Sequence, residues 1–229
     1  MKVGISQSNY IPWRGYFDII NKCDLFIFYD DVQYTVRDWR NRNKIKTKDG
    51  LKWLTIPVGH IKRDVKTCDV LLPATQWQYE HWQHIYSSYW KSSHFDDVRL
   101  LFEKLYFQAE YKTLSELNQY FIENICHYMG ITTILDDSRH YTQTGTRKGR
   151  ILNILKEVGA TDYYCGPAAR NYITDNDFRG IGIDVHWMDY SYPEYPQLYG
   201  DFQPNVSIVD LIFNTGKDAI KFIHNDNAI

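Results

Sequence analysis

The stretch "ISQSNYIPWRGYFDII", residues 5–20, with "DLFIFY", residues 24–29, close behind it, decides the fold. Lys2 to Ser6 read as a first strand. Gln7 to Trp13 form a polar, aromatic turn around Pro12, and Arg14 to Lys22 show the spacing of a short helix. Within residues 24–29, Leu25 to Phe28 are continuously apolar, the pattern of a strand buried on both faces of a parallel sheet. Strand, turn, helix and strand make a βαβ unit. In open α/β sheets ligands bind beyond the carboxyl ends of the strands, and a helix N-terminus offers unpaired N–H groups to an anion. Gln7, Tyr10, Trp13, Gly15 and Tyr16 are therefore candidate binding residues, Gly15 for close approach and the rings as walls. The competing reading is a turn sealed by Tyr10, Trp13 and Tyr16.

Working outward, "WRNRNKIKTKDGLKWLTIPV", residues 39–58, holds two strand-like runs joined through Asp49-Gly50, a hairpin signal. Val65 to Leu72 suggests a further strand. Residues 74–130 change character to a 3.6-residue period, with Thr75 as an expected N-cap and Gly130 as an expected C-cap. Alternation then returns. Strands are expected at Thr132–Leu135, Asp162–Cys165 and Ile183–Trp187, with helices over Thr146–Val158 and from Ser207 into 217–223. These elements describe one α/β domain over 1–229, with a Rossmann-like mixed sheet, a β-hairpin excursion and a helical insertion at 74–130.

Four further stretches bear on chemistry. In "YDDVQYTVRDWRNRNKIK" the second strand delivers Asp30 and Asp31 to the edge that receives Gln7. Paired carboxylates there suit a base, a sugar hydroxyl or a metal. Arg40, Arg42, Lys44 and Lys46 occupy alternate positions, so a strand puts them on one face, apart from Trp39, Asn41 and Asn43, as a stripe suited to a diphosphate. A solvated edge strand guarded by charge is the alternative. "TGTRKGRIL" crowds Arg147, Lys148 and Arg150 into a first helical turn, which the helix dipole disfavours unless an anion is near. "YYCGPAARNYI" ends a strand at Gly166, with Cys165 read as an inert buried thiol. "YPEYPQLYGDFQPNVSIVDLIFNTG" is a long Pro-rich segment bearing Glu194 and Gln197, then a helix with Asp210 and Asn214 four residues apart. Such segments often serve as lids or binding loops.

Composition sets the bounds. The 229 residues are 44% hydrophobic, ample for a core, and 26 Lys and Arg stand against 28 Asp and Glu. The chain as a whole thus has no basic excess to argue for a nucleic-acid partner, and any charge that matters must be local. Four scattered cysteines form no metal or disulfide pattern, no stretch reads as a secretory signal or membrane span, and a cytoplasmic location is expected. His81 and His84, three residues apart, lack a zinc-protease arrangement, and no metal site is read.

In combination, QSNYIPWRGYFD, FYDDVQYTVRDWRNRNKIK, WLTIPV, GPAARNY, and PEYPQ with SIVDLIFNTG resemble the WbqC-like family of bacterial proteins over almost the whole chain. The first turn is also similar to that of nucleotidyltransferase-type folds, which carry His-x-Gly-His there; both histidines are absent. The WbqC-like resemblance implies a part in surface polysaccharide (O-antigen) biosynthesis, by acyl or glycyl-like transfer to an amino sugar. The resulting expectation is amide formation on the amine of a nucleotide-linked amino sugar, with Asp31 as base and Gln33 or Asn41 polarising the carbonyl. Nucleotidyl transfer and non-catalytic sugar-nucleotide binding are the alternatives. The acyl donor, any cofactor and a homodimeric state are left open.

Overall fold

The computed structural model describes residues 1–171 and 173–223, with Arg147 described in its backbone only. The chain forms β1 (Lys2–Ser6), α1 (Arg14–Lys22), β2 (Leu25–Phe28), β3 (Arg42–Thr47), β4 (Gly50–Thr55), α2 (Trp77–Tyr89), α3 (Phe95–Phe107) and α4 (Leu114–Met129). It continues through β5 (Ile134–Asp137), α5 (Arg147–Glu157), β6 (Asp162–Cys165), α6 (Asp175–Arg179), β7 (Asp184–Trp187) and α7 (Ile208–Thr215). Five strands make one sheet in the order β5-β2-β1-β6-β7, with every pairing parallel. The antiparallel β3–β4 hairpin forms a second sheet with Lys44 opposite Trp53.

Alternation along the buried strands sorts the core into two layers. Val3 and Ile5 of β1, with Leu25 and Ile27 of β2, pack on Ile151, Ile154 and Leu155 of α5 and on Phe178 of α6. Phe26 and Phe28 point the other way, into a cluster with Phe17 and Ile20 of α1 and Phe121 and Ile125 of α4. That second cluster runs on without a break into α2, α3 and α7, where Phe213 stacks on Tyr89 at 5.1 Å. A buried ring of this kind is worth several kcal/mol, about 3–5 if truncated to alanine.

Helix ends follow the sequence in part. Gly130 closes α4 at φ +76°, and Ser207 caps α7 by accepting from the Val209 N–H. Thr75 does not cap α2, which starts from Gln76 with no side-chain cap. The expected strand at Val65–Leu72 is instead a 3₁₀ turn at Thr67–Asp69. The segment keeps only isolated antiparallel bridges, Lys66 with Gln33 and Leu71 with Thr113, separated by that turn. β5 lies two residues later than its sequence signal, so that Asp136 and Asp137 end the strand.

The order of strands has a functional consequence. From β1 the chain builds outward to β2 and β5, then crosses back to β6 and β7 on the other side. The crevice beyond β1 and β6 is therefore the topological switch point of the sheet.

Candidate functional site

The turn leaving β1 is held at almost every residue. The Ser8 N–H donates to Asp30 Oδ1 at 2.7 Å, the Tyr10 N–H to the Trp39 carbonyl, and the Asn43 amide to the carbonyls of Tyr10 and Ile11. Ser207 donates to the Ile11 carbonyl, and the Ile208 N–H to that of Pro12. Ile11 adopts φ +37°, a left-handed conformation that costs a β-branched residue energy and is kept by these bonds.

Tyr10 and Tyr16 are buried and are not ligand-facing rings. The Tyr10 hydroxyl bonds His81 Nδ1 and the Tyr106 hydroxyl, and the Tyr16 hydroxyl donates to the Gln7 carbonyl. Gln7 gives its amide to Thr67. Gly15 is required for another reason than anion approach: a Cβ there would collide with the Trp13 ring, which folds over the helix start. Trp13 in turn meets Tyr190 at 4.8 Å, and the Tyr190 hydroxyl lies 2.8 Å from where a Cβ on Gly166 would stand. Aromatic rings thus close the switch-point crevice itself.

Open space lies beside it. A cavity of about 360 Å³ is lined by Asn9, Pro12, Trp13, Trp39, Asn43, Lys44 and Asn205, with no carboxylate among them. At its rim Trp39 and Trp53 stack at 5.6 Å, each 43% exposed. The Arg42 guanidinium lies 3.7 Å from the Trp53 ring centre, and Lys44 Nζ lies 5.5 and 5.9 Å from Trp53 and Trp39. Among the described residues neither cation has a carboxylate within ion-pair distance, and Arg42 Nε is buried without a partner. Arg40 is occupied by Asn9 and Asp38.

The stripe read from the sequence is accordingly shorter and differently faced. Arg42 and Lys44 share a face, but Lys46 is buried and donates to Gln197 Oε1 and to the carbonyls of Gly200 and Asp201. Trp39 lies on the cation face, not opposite it, because strand alternation begins only at Arg42. Trp53 and Asn205 were not read as site residues. Trp53 was accessible from the hairpin signal, since a two-residue turn at Lys48-Asp49 sets it across from Lys44; Asn205 carried no signal.

Asp30 and Asp31 lie in closed networks. Asp30 accepts from the Ser8 N–H, from Ser115 Oγ at 2.5 Å and from Gln119 Nε2 at 3.1 Å. Asp31 accepts from Ser138 Oγ at 2.5 Å and from Arg150, which also bonds Gln143. Asp137 continues the series, paired with Arg139 at 2.8 Å and held below the usual carboxylate range by that pairing against the penalty of burial. Asp30 and Asp31 are thus each held through both oxygens by protein donors, and Arg150 is a partner to Asp31.

The other expected catalytic groups stand apart from this network. Gln33 is exposed and donates to the Arg63 carbonyl, while Asn41 is buried and donates to that of Ile56. Gln197 and Asp210 belong to a buried cluster with Lys46. Asp210 accepts from Tyr89, Tyr195 and Gln197 at 2.7 to 2.9 Å, burial pushing its carboxyl up against those bonds. Asn214 donates back to the Asp210 carbonyl as part of the helix surface, and Glu194 is exposed on the Pro-rich segment. The side chain of Arg147 lies outside the described residues.

No helix among the described residues is long and apolar enough to cross a membrane. No solved structure matches the chain. A relative in Mycobacterium tuberculosis, the uncharacterized protein Rv1507c, is 42% identical over 226 residues, covering 97% of each chain. With a WbqC-like protein family model matching residues 7–222, which take in the first turn, the hairpin and the α7 segment that together build the cavity, the chain belongs to the WbqC-like family.

Proposed function

We propose that the cavity between the first turn and the hairpin binds a nucleotide-linked amino sugar, as the acceptor of an acyl or aminoacyl group in bacterial surface polysaccharide biosynthesis. The observation carrying this reading is the pair of cations, Arg42 and Lys44, without carboxylate partners among the described residues, beside exposed indoles at the rim of a cavity. Unneutralised guanidinium and ammonium groups suit a diphosphate, and indole faces suit a sugar ring or a base. Asn9 and Asn205 supply carboxamides for hydroxyl or base edges.

Amide formation needs a neutral amine, whose lone pair attacks the donor carbonyl while the leaving group departs with its electron pair and the amine proton is taken up. Asp31, the base expected from the sequence, is not retained: it is held by Ser138 and Arg150 and is not among the residues lining the cavity, so the amine proton passes to water. Gln33 and Asn41 are not retained for carbonyl polarisation, because their amides are given to backbone carbonyls.

Thermal melting with UDP- and dTDP-linked amino sugars tests the reading. A ligand at 100 times its dissociation constant adds about 2.7 kcal/mol, a rise of roughly 5–10 °C for a chain of this size. The rise should vanish in Arg42→Ala and Lys44→Ala. A rise only with ATP or CTP and Mg²⁺ would instead favour nucleotidyl transfer.

A further inference from the structure

The charge of the chain is segregated. Residues 37–66 hold ten lysines and arginines against three aspartates, a net +7, whereas the remaining residues hold 16 against 25, a net −9. Of the ten, only Arg40 makes an ion pair among the described residues. Six of them, Arg37, Lys48, Lys52, Lys62, Arg63 and Lys66, are exposed. The segment is one body. The Ile56 N–H bonds the Asn41 carbonyl, Gln33 reaches the Arg63 carbonyl and bridges Lys66, and the Tyr34 N–H bonds the Val65 carbonyl. These bonds bring 63–66 against 32–34, just before the run that leads through Arg37 to the hairpin.

Out of this basic surface project planar groups already in stacking geometry. Trp39 and Trp53 stand 5.6 Å apart at 29°, with the Arg42 guanidinium against Trp53. Like-charged side chains left unpaired in one region cost self-repulsion, and indoles 43% exposed forgo burial. A ligand that supplies phosphates at intervals and flat rings between them relieves both. An anionic membrane would answer the charge alone, and a duplex hides its ring faces in its own stack.

We propose that the hairpin and its following segment bind single-stranded nucleic acid, a base extending the Trp39–Trp53 stack and the phosphates running over Arg42, Lys44 and the exposed cations of 62–66. This goes beyond the nucleotide-sugar reading, with which it shares Trp39, Trp53, Arg42 and Lys44.

The test is fluorescence anisotropy of the full chain with fluorescein-labelled 12-nucleotide RNA and DNA single strands. A 12-base-pair RNA duplex and phosphatidylglycerol vesicles serve as competitors. Binding of a single strand is expected, weakening with salt by a log–log slope of about −0.7 for each phosphate contact. Trp53→Ala should cost about tenfold or more. Lys62→Glu with Arg63→Glu, both exposed and outside the cavity, should weaken strand binding and flatten its salt slope while leaving any melting shift with UDP-linked amino sugars intact. RNA preferred to DNA, or the reverse, names the source and supports the proposal either way. Absence of single-strand binding at 50 mM salt (about a 14 Å screening length), stronger competition by duplex or vesicles, or full affinity in both variants would overturn it. None of these outcomes touches the cavity reading, which fails on its own if amino-sugar nucleotides leave the melting temperature unmoved.

Discussion

Two regions rich in charge behave in opposite ways. At the carboxyl ends of β2 and β5, Asp30, Asp31 and Asp137 are buried and every one is met by protein donors. On the hairpin, Arg42 and Lys44 are half-exposed and meet no carboxylate among the described residues. A charge whose partners are built into the fold is there to position the chain, since its removal leaves those partners stranded. A half-exposed charge without a protein partner is left to solvent or to a bound anion. The carboxylates, the more conspicuous chemistry in the sequence, thus organise the sheet edge, and the cations beside the indoles are the charges the proposed ligand would meet.

The contrast is broken first by removing a partner from the closed network. Arg150→Met leaves Asp31 buried and uncompensated and should cost about 3–5 kcal/mol. Asp31→Leu with Arg150→Met should recover most of that in urea unfolding, because the pair goes together. If the single variant costs nothing, Asp31 is not held structurally.

The next effect is acid lability. Burial depresses His81 to about 4, with Tyr10 bonded at Nδ1 and the Thr55 backbone as its other partner. Between that value and 6.5 the unfolded chain binds a proton that the folded chain does not, so stability is fully present above 6.5 and falls as the pH drops toward 4. The loss should approach about 3 kcal/mol. His84, shifted down also by burial but less enclosed, adds a smaller effect of the same sign. Urea midpoints at pH 7 and 4.5 measure this, and His81→Gln should remove most of the slope.

Smaller still, Gly15→Ala should displace the Trp13 ring and cost about 1–3 kcal/mol by overpacking, with loss of any ligand-induced melting shift. Arg42→Ala should change stability by less than about 0.5 kcal/mol, as a surface substitution, while removing the ligand shift altogether. A large stability loss in Arg42→Ala would place it with the structural charges and erase the contrast.

How much of this was legible follows from range. The βαβ unit could be read because Leu25 to Phe28 are apolar without interruption, and the hairpin because its turn is local. Position on a face could be read only where the strand exists, which is why Trp39, ahead of β3, was assigned to the wrong side. The satisfaction of Asp30 and Asp31 was invisible for a different reason. Their partners Ser115, Gln119, Ser138 and Arg150 lie 85 to 119 residues away in the chain, and no spacing rule connects them. The same holds for Lys46, whose alternation marks it as a stripe member and whose burial depends on Gln197, 151 residues on.

The Trp13–Ser207 bridge carries one more consequence. It ties the first turn to the cap of α7, and the Ser207 N–H also bonds the Lys44 carbonyl of the hairpin. The walls of the cavity are therefore joined by a closure spanning nearly the whole polypeptide, the slowest kind of contact to make. During synthesis the cavity cannot close until α7 has left the ribosome, so nothing that would occupy it can guide the folding of the nascent chain.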